Sequence, residues 1–160
     1  MASDPSSSFV FDHTIDPSRE AEIEARLVAF NARKSSRWEQ NHDDSFTQAP
    51  LHIFVRDGSD RLVGGLVART HAIRSWLEVL VIWVDEDHRG LGIGRKLMDQ
   101  AEEEGRRRGC EFARLSSSDY QAPGFYKSLG YELYGRLDDC PRGDTAYYFR
   151  KTLKEVRPNT

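Results

Sequence analysis

Trp83-Val84-Asp85-Glu86-Asp87-His88-Arg89-Gly90-Leu91-Gly92-Ile93-Gly94-Arg95 is the stretch that decides the fold. It continues a nearly all-apolar run, Trp76 to Val84, that reads as a central strand covered on both faces. After it comes an amphipathic segment from about Leu91 to Arg108, with Leu97, Met98 and Ala101 at helical spacing. Three glycines at alternate positions lie between strand and helix. Lacking a Cβ, each lets a ligand approach the backbone closely. The first N–H groups of a helix have no intrahelical partner and carry partial positive charge. Strand, glycine turn and helix start thus predict an anion cradle suited to a pyrophosphate, with Arg89 and Arg95 adding charge-assisted donors.

Spacing excludes two common phosphate loops. A nucleoside-triphosphate loop needs Gly-Lys-Ser/Thr, which does not occur here. A dinucleotide fingerprint needs Gly-x-Gly-x-x-Gly, whereas the third glycine here comes one residue early. The turn also lies in mid-chain, after several strands.

Reading outward gives the remaining elements. Phe9-Val10-Phe11 is a short strand candidate. Ser18 is placed to cap a helix from about Arg19 to Lys34, with Ile23, Leu27 and Phe30 on one stripe. Residues 35–50 are polar and irregular, with Trp38 and Phe46 as isolated anchors. Leu51–Val55 and Leu62–Ile73 form a hairpin about the Asp57-Gly58-Ser59-Asp60 turn. Beyond the long helix come a strand at Glu111–Ser117, a short helix at Tyr120–Leu129 ended by Gly130, and strands at Tyr131–Leu137 and Tyr147–Leu153. Glu102, Glu103 and Glu104 precede Arg106, Arg107 and Arg108 by four residues, the favourable order for ion pairs on an exposed helix face. The expected fold class is α/β (α+β), a mixed central sheet flanked by helices, with residues 9–155 as a single domain and 1–8 as a disordered N-terminus.

Composition narrows the function classes. The chain has 160 residues and a net charge of −3, from 23 basic and 26 acidic side chains, so no general attraction to nucleic acid or anionic membrane is expected. No apolar run approaches the length of a membrane span, and the first residues lack the basic start and apolar stretch of a signal peptide. The two cysteines, Cys110 and Cys140, show no metal spacing and are too few for a disulfide framework, so a cytoplasmic location without metal is expected. His52 and His71 read as structural histidines on strands, and His88 as a solvated residue before the turn.

Arg89-Gly90-Leu91-Gly92-Ile93-Gly94 fits, without a gap, the Arg/Gln-x-x-Gly-x-Gly/Ala pattern of the GNAT acetyltransferase superfamily. A second segment, Ala122-Pro123-Gly124-Phe125-Tyr126-Lys127-Ser128-Leu129-Gly130-Tyr131, resembles that family's Ala-x-x-Phe-Tyr-x-x-x-Gly-Phe/Tyr helix-to-strand motif. The element order is similar from about Phe9 to Leu153, and the likeness is greatest to a small bacterial-type branch.

The resemblance implies the GNAT acyl-CoA N-acyltransferase fold and transfer of an acetyl group from acetyl-CoA to a primary amine, by direct attack in a ternary complex. It implies that Arg89, Gly90, Leu91, Gly92, Ile93, Gly94 and Arg95 hold the pyrophosphate. The backbone of Ile82, Trp83 and Val84 would line the pantetheine arm, the N–H of Val84 donating to the thioester oxygen. Tyr126 is then the acid that protonates the leaving thiolate. Asp119 stands where the family often has an Asn that touches the CoA arm. Glu78 is the only charged side chain in Trp76–Val84. Burial is expected to raise its carboxyl toward neutrality, which makes it the candidate base; a solvent-facing strand-end glutamate is the alternative. Trp38, Phe46 and Trp83 are candidate walls of an acceptor pocket. The expected acceptor is a small-molecule amine. A protein lysine or N-terminus is one alternative, and a non-catalytic acyl-CoA-binding module is another. Many relatives form a homodimer, but no feature here fixes that.

Overall fold

The computed structural model describes residues 10–11, 13–35, 48–71 and 74–154. Phe9, Trp38, Phe46 and residues 1–8 lie outside the described residues, and so do Ala72 and Ile73 at the expected end of the second strand. Contacts divide the chain into two compact units, Met1–Asp43 and Asp44–Thr160.

The first unit carries helix α1, Pro17–Lys34. Its cap is Asp16 rather than Ser18. The Asp16 Oδ1 accepts from Ser18 N–H at 2.9 Å and Arg19 N–H at 3.2 Å, and Pro17 takes the first helical position, where no N–H is missed. Val10 and Phe11 are exposed and outside any strand, unlike the expectation for that segment.

The second unit holds a six-stranded sheet in the order β1-β2-β3-β4-β6-β5. Its strands are β1 Gln48–Arg56, β2 Leu62–His71, β3 Trp76–Val84, β4 Phe112–Ser118, β5 Glu132–Asp138 and β6 Thr145–Thr152. Helix α2, Ile93–Arg107, crosses from β3 to β4, and the short helix α3, Pro123–Ser128, connects β4 to β5. All pairings are antiparallel except β3 with β4. That parallel pairing spans only Trp76–Glu78 against Phe112–Arg114. Beyond it the two strands part.

A register shift marks the start of the parting. Val67 pairs with Val81 and Ala68 with Val79, so Leu80 is an extra residue in β3. Such a bulge bends a strand and re-aims its side chains. Leu77 and Val79 point into the core, while Leu80, Val81 and Trp83 are exposed. The nearly all-apolar sequence of β3 suggested cover on both faces. The bulge and the parting leave its second half open instead.

The core lies between the sheet and α2, with Leu66, Leu77, Met98 and Phe149 fully buried. Polar contacts carry α2 across to the far half of the sheet. The Glu102 carboxylate, buried and not on an exposed face as the charge spacing suggested, receives the Lys151 Nζ of β6 at 2.7 Å. Arg106 Nε donates to the Leu153 carbonyl at 3.0 Å. Glu104 does take the expected surface role, pairing with Arg107 and Arg108 at 2.6 Å each.

Phe149 joins Tyr126 and Tyr147 in one ring cluster, with centroids 5.8 and 6.5 Å away. Phe149→Ala should lower unfolding free energy by about 3–5 kcal/mol in urea denaturation, as expected for a large ring removed from a packed interior. A loss below about 1 kcal/mol would mean that the site collapses freely and is not the core described.

Candidate active site

A cavity of about 690 Å³ opens where β3 and β4 part. Its walls are the second half of β3, the glycine turn, Ser116 on β4, and the segment from Tyr120 to Tyr126. Backbone accounting explains why this gap can hold a ligand. Asp85 N–H donates to the Val63 carbonyl at 2.9 Å, so Asp85 and Trp83 face β2. By the two-residue alternation, Ile82 and Val84 turn their N–H and C=O groups toward the gap. There β4 is absent as a partner, and unpaired backbone groups invite a ligand that can bond them. The Val84 carbonyl already accepts from Arg89 Nε at 3.1 Å.

The turn is built as the glycine spacing suggested, but its three glycines have different reasons. Gly90 and Gly92 take φ of +75° and +78°, where a side chain is strained. Gly92 is the N-cap of α2, so the helix starts at Ile93, two residues later than expected, and its free N–H groups open onto the cavity. At Gly94 a Cβ would stand 3.2 Å from the Phe125 Cζ. That glycine serves the packing of α2 against α3 rather than ligand approach. Arg95 lines the cavity and reaches the Ser128 carbonyl at 3.4 Å. Leu91 sits exposed at the tip of the turn, outside the cavity lining.

Tyr126 lies on α3, almost fully buried, and lines the cavity. Burial raises its phenol above the ordinary range, so it stays protonated throughout the neutral range. Among the described residues nothing hydrogen-bonds its hydroxyl.

Glu78 occupies the last paired position before β3 and β4 part, outside the cavity lining. Its Oε2 accepts from Arg69 Nε at 2.7 Å and lies 3.3 Å from His71 Nε2, while Oε1 is 2.9 Å from the Arg114 guanidinium. Burial alone acts to raise the carboxyl. The Arg69 hydrogen bond, the Arg114 charge and the His71 hydrogen bond outweigh it, and the net shift is downward. The expectation of a carboxyl raised toward neutrality is therefore corrected, because the sequence does not reveal the two arginines and the histidine that neighbouring strands bring to it.

Asp119 is engaged elsewhere too. Its Oδ1 accepts from Tyr120 N–H at 2.9 Å and its Oδ2 from Thr145 N–H at 3.1 Å, tying the end of β4 to the start of β6. It is not part of the cavity lining. Ser116 and His88 line the cavity without having been singled out as ligand contacts. The unusual Ser116-Ser117-Ser118 run at the end of an inner strand was the available signal for the first. Among the described residues no group of three or more His, Cys, Asp or Glu side chains could hold a metal, and no helix is long and apolar enough to cross a membrane.

Residues 16–131 match the sequence profile of the Acetyltransferase (GNAT) family. An acetyltransferase of Agrobacterium fabrum is 31% identical over 144 residues, covering 90% of this chain and 98% of that protein. Blasticidin-S acetyltransferase of Streptomyces morookaense is 41% identical over 93 residues, 58% of this chain and 67% of that protein. The crystal structure of an acetyltransferase from Bacillus cereus aligns with a TM-score of 0.69 at 24% identity, covering 89% of this chain and 97% of that one. The chain belongs to the GNAT acetyltransferase family and has its acyl-CoA N-acyltransferase fold. It is an acyltransferase, and acetyl-CoA is the donor that fits the family and the cradle.

Replacing Glu78 by Gln leaves Arg69 and Arg114 facing a neutral amide, which should cost about 2 kcal/mol of stability at pH 7. A carboxyl depressed in the folded state stabilises above its unfolded pKa, near 4.3, and loses that contribution as pH falls through the folded value. The melting-temperature gap between wild type and Glu78→Gln should therefore be full at pH 7 and close below about pH 4. A gap that persists undiminished at pH 3 would contradict the ion-pair account.

Proposed function

We propose that this chain moves the acetyl group of acetyl-CoA to the primary amine of a small molecule, by direct attack within a ternary complex. The observation that carries the proposal is the parting of β3 and β4 between a glycine turn at one end and a buried tyrosine at the side. A pyrophosphate placed on the turn meets the N-terminus of α2 and the Arg89 and Arg95 guanidiniums. The arm that follows it enters the gap, where Ile82 and Val84 supply the backbone bonds that β4 does not. The thioester oxygen takes the Val84 N–H, a donor that needs no reorganisation as charge develops.

The amine must lose a proton to attack, since alkyl amines titrate near 10. Glu78 is poorly suited to take that proton, being held ionised by three partners and lying outside the lining. We assign the proton's exit to water in the open cavity and give Glu78 the role of holding the strands together at the apex. Tyr126 supplies the proton for the departing thiolate. Its environment favours the neutral phenol beforehand, and the proton moves only once charge develops on sulfur.

Two relatives bear on the acceptor. One is named for acetylation of blasticidin-S, and a solved structure that aligns at 28% identity over 66% of each chain, with a TM-score of 0.60, is a nourseothricin acetyltransferase. Both names favour a small-molecule acceptor over a protein lysine or N-terminus. Homodimer formation and a cytoplasmic location are further proposals, resting on the family likeness and on composition.

Three outcomes follow. Thiol release from acetyl-CoA, screened against a panel of small amines and lysine peptides, should respond to small amines first; a response confined to peptides would reverse the acceptor class. Tyr126→Phe should lower kcat by about 100-fold or more while leaving CoA affinity near wild type. Unchanged turnover would remove Tyr126 from the chemistry. In Gly92→Val a β-branched side chain meets a φ of +78° at the helix start, and binding of acetyl-CoA should be lost in titration calorimetry.

A further inference from the structure

His88 stands at the edge of the cradle with its ring anchored from behind. It lines the cavity beside Arg89, Gly90 and Gly92. Its Nδ1 lies 3.3 Å from the Asp85 Oδ1, and both side chains are about three-quarters withdrawn from solvent, at 24% and 28% exposure. Asp85 is itself fixed. Its N–H bonds the Val63 carbonyl of β2, and its Oδ1 also accepts from Asp87 N–H at 3.1 Å. The His88 hydrogen bond, then that of Asp87, holds the Asp85 carboxyl below its usual range, so it is ionised and can only accept. The imidazole is thus tied to the rim of the sheet and does not swing freely.

The tie has a chemical consequence. An ionised Asp85 requires the proton on Nδ1. In the neutral ring Nε2 then carries a lone pair, which repels a phosphate oxygen. With one more proton Nε2 becomes a donor, and the ring is a cation between two anions. Other charged groups also surround the ring. Arg89 is drawn to Glu86, 3.5 Å away, and to the Val84 carbonyl. Arg95 reaches back to Ser128, Arg61 acts on Asp85 from the β1–β2 connection, and Asp87 and Glu86 add negative charge.

We infer that His88, oriented by Asp85, is a further phosphate ligand of the donor site and binds in its imidazolium form, so that donor binding takes up a proton from solvent. The inference rests on the proposed acetyl-CoA reading of the cavity and adds to it a binding residue and a pH dependence. Affinity should weaken as pH rises from 6 to 8, by up to about tenfold per pH unit where the ring is neutral in the free protein and charged in the complex.

The test is titration calorimetry of the full chain with CoA and with dephospho-CoA at pH 7.5, in buffers of different ionisation enthalpy. Dephospho-CoA keeps only the pyrophosphate, which stays ionised throughout, so its signal isolates the protein's proton. Uptake with both ligands assigns His88 to the pyrophosphate; uptake with CoA alone that is lost in His88→Gln assigns it to the 3′-phosphate. His88→Gln, which keeps a neutral hydrogen-bonding side chain, should abolish the uptake and flatten the pH profile of Kd. Asp85→Asn keeps the imidazole but removes the charge that orients it, and should reduce the uptake. Binding of both ligands to wild type without proton uptake would overturn the inference while leaving the CoA reading intact, and so would undiminished uptake in folded His88→Gln. Failure of wild type to bind CoA at all would overturn both.

Discussion

Two half-sheets share three residue pairs, and the rest of the molecule depends on that narrow join. Strands β1, β2 and β3 form one half and β4, β6 and β5 the other, and only Trp76–Glu78 against Phe112–Arg114 unite them. Within each half the strands pair along most of their length, with register shifts of one residue. The Glu78 carboxylate, gripping Arg69 of β2 and Arg114 of β4, stitches three strands at the point where the join ends. Helix α2 braces the join from below. It packs on β2 and β3 and sends Glu102 and Arg106 across to β6 and the residue just past it. With the apex held on both sides, the strands can part without the sheet coming apart.

The parting gives the site its character. Backbone groups on β3 that a continuous sheet would satisfy face the gap instead, and in the proposed donor site they would recognise a ligand with few demands on side chains. The glycine turn does the same for anionic groups at the other end, through the free N–H groups and dipole of α2. Placing both on one strand–turn–helix fixes the distance between them. An extended donor with a phosphate at one end and a thioester at the other fits that arrangement better than a compact one.

Tyr126 and Glu78 are set apart by their environments. Tyr126 and Glu78 are both withdrawn from water, yet their protons move in opposite directions. Desolvation is what acts on the tyrosine, and the phenol keeps its proton. The glutamate is also desolvated, but two guanidiniums and an imidazole overwhelm that cost and the carboxyl gives its proton up. Burial by itself therefore does not make a base, and the identity of the cross-strand neighbour decides.

The sequence by itself determined the order of elements from the first helix onward, the span of β3 and the glycine turn, because these depend on local spacing, such as a nine-residue strand with a single charged residue and positive φ at Gly90 and Gly92. It also pointed to Tyr126, through the resemblance of Ala122–Tyr131 to the family's helix-to-strand motif. Only the tertiary structure decided what Glu78 and Asp119 do, since Arg69, His71, Arg114 and Thr145 come to them from other strands. The same holds for Gly94, whose missing Cβ makes room for Phe125, and for the buried Glu102, which answers to Lys151 on β6. The bulge at Leu80 has no local signature, because a one-residue register shift leaves the hydrophobic run of β3 unbroken and changes only which face each residue shows. Hydrogen-bond geometry along a chain is legible from its order of residues. Charge pairing and strand register across a sheet exist only once distant segments lie side by side.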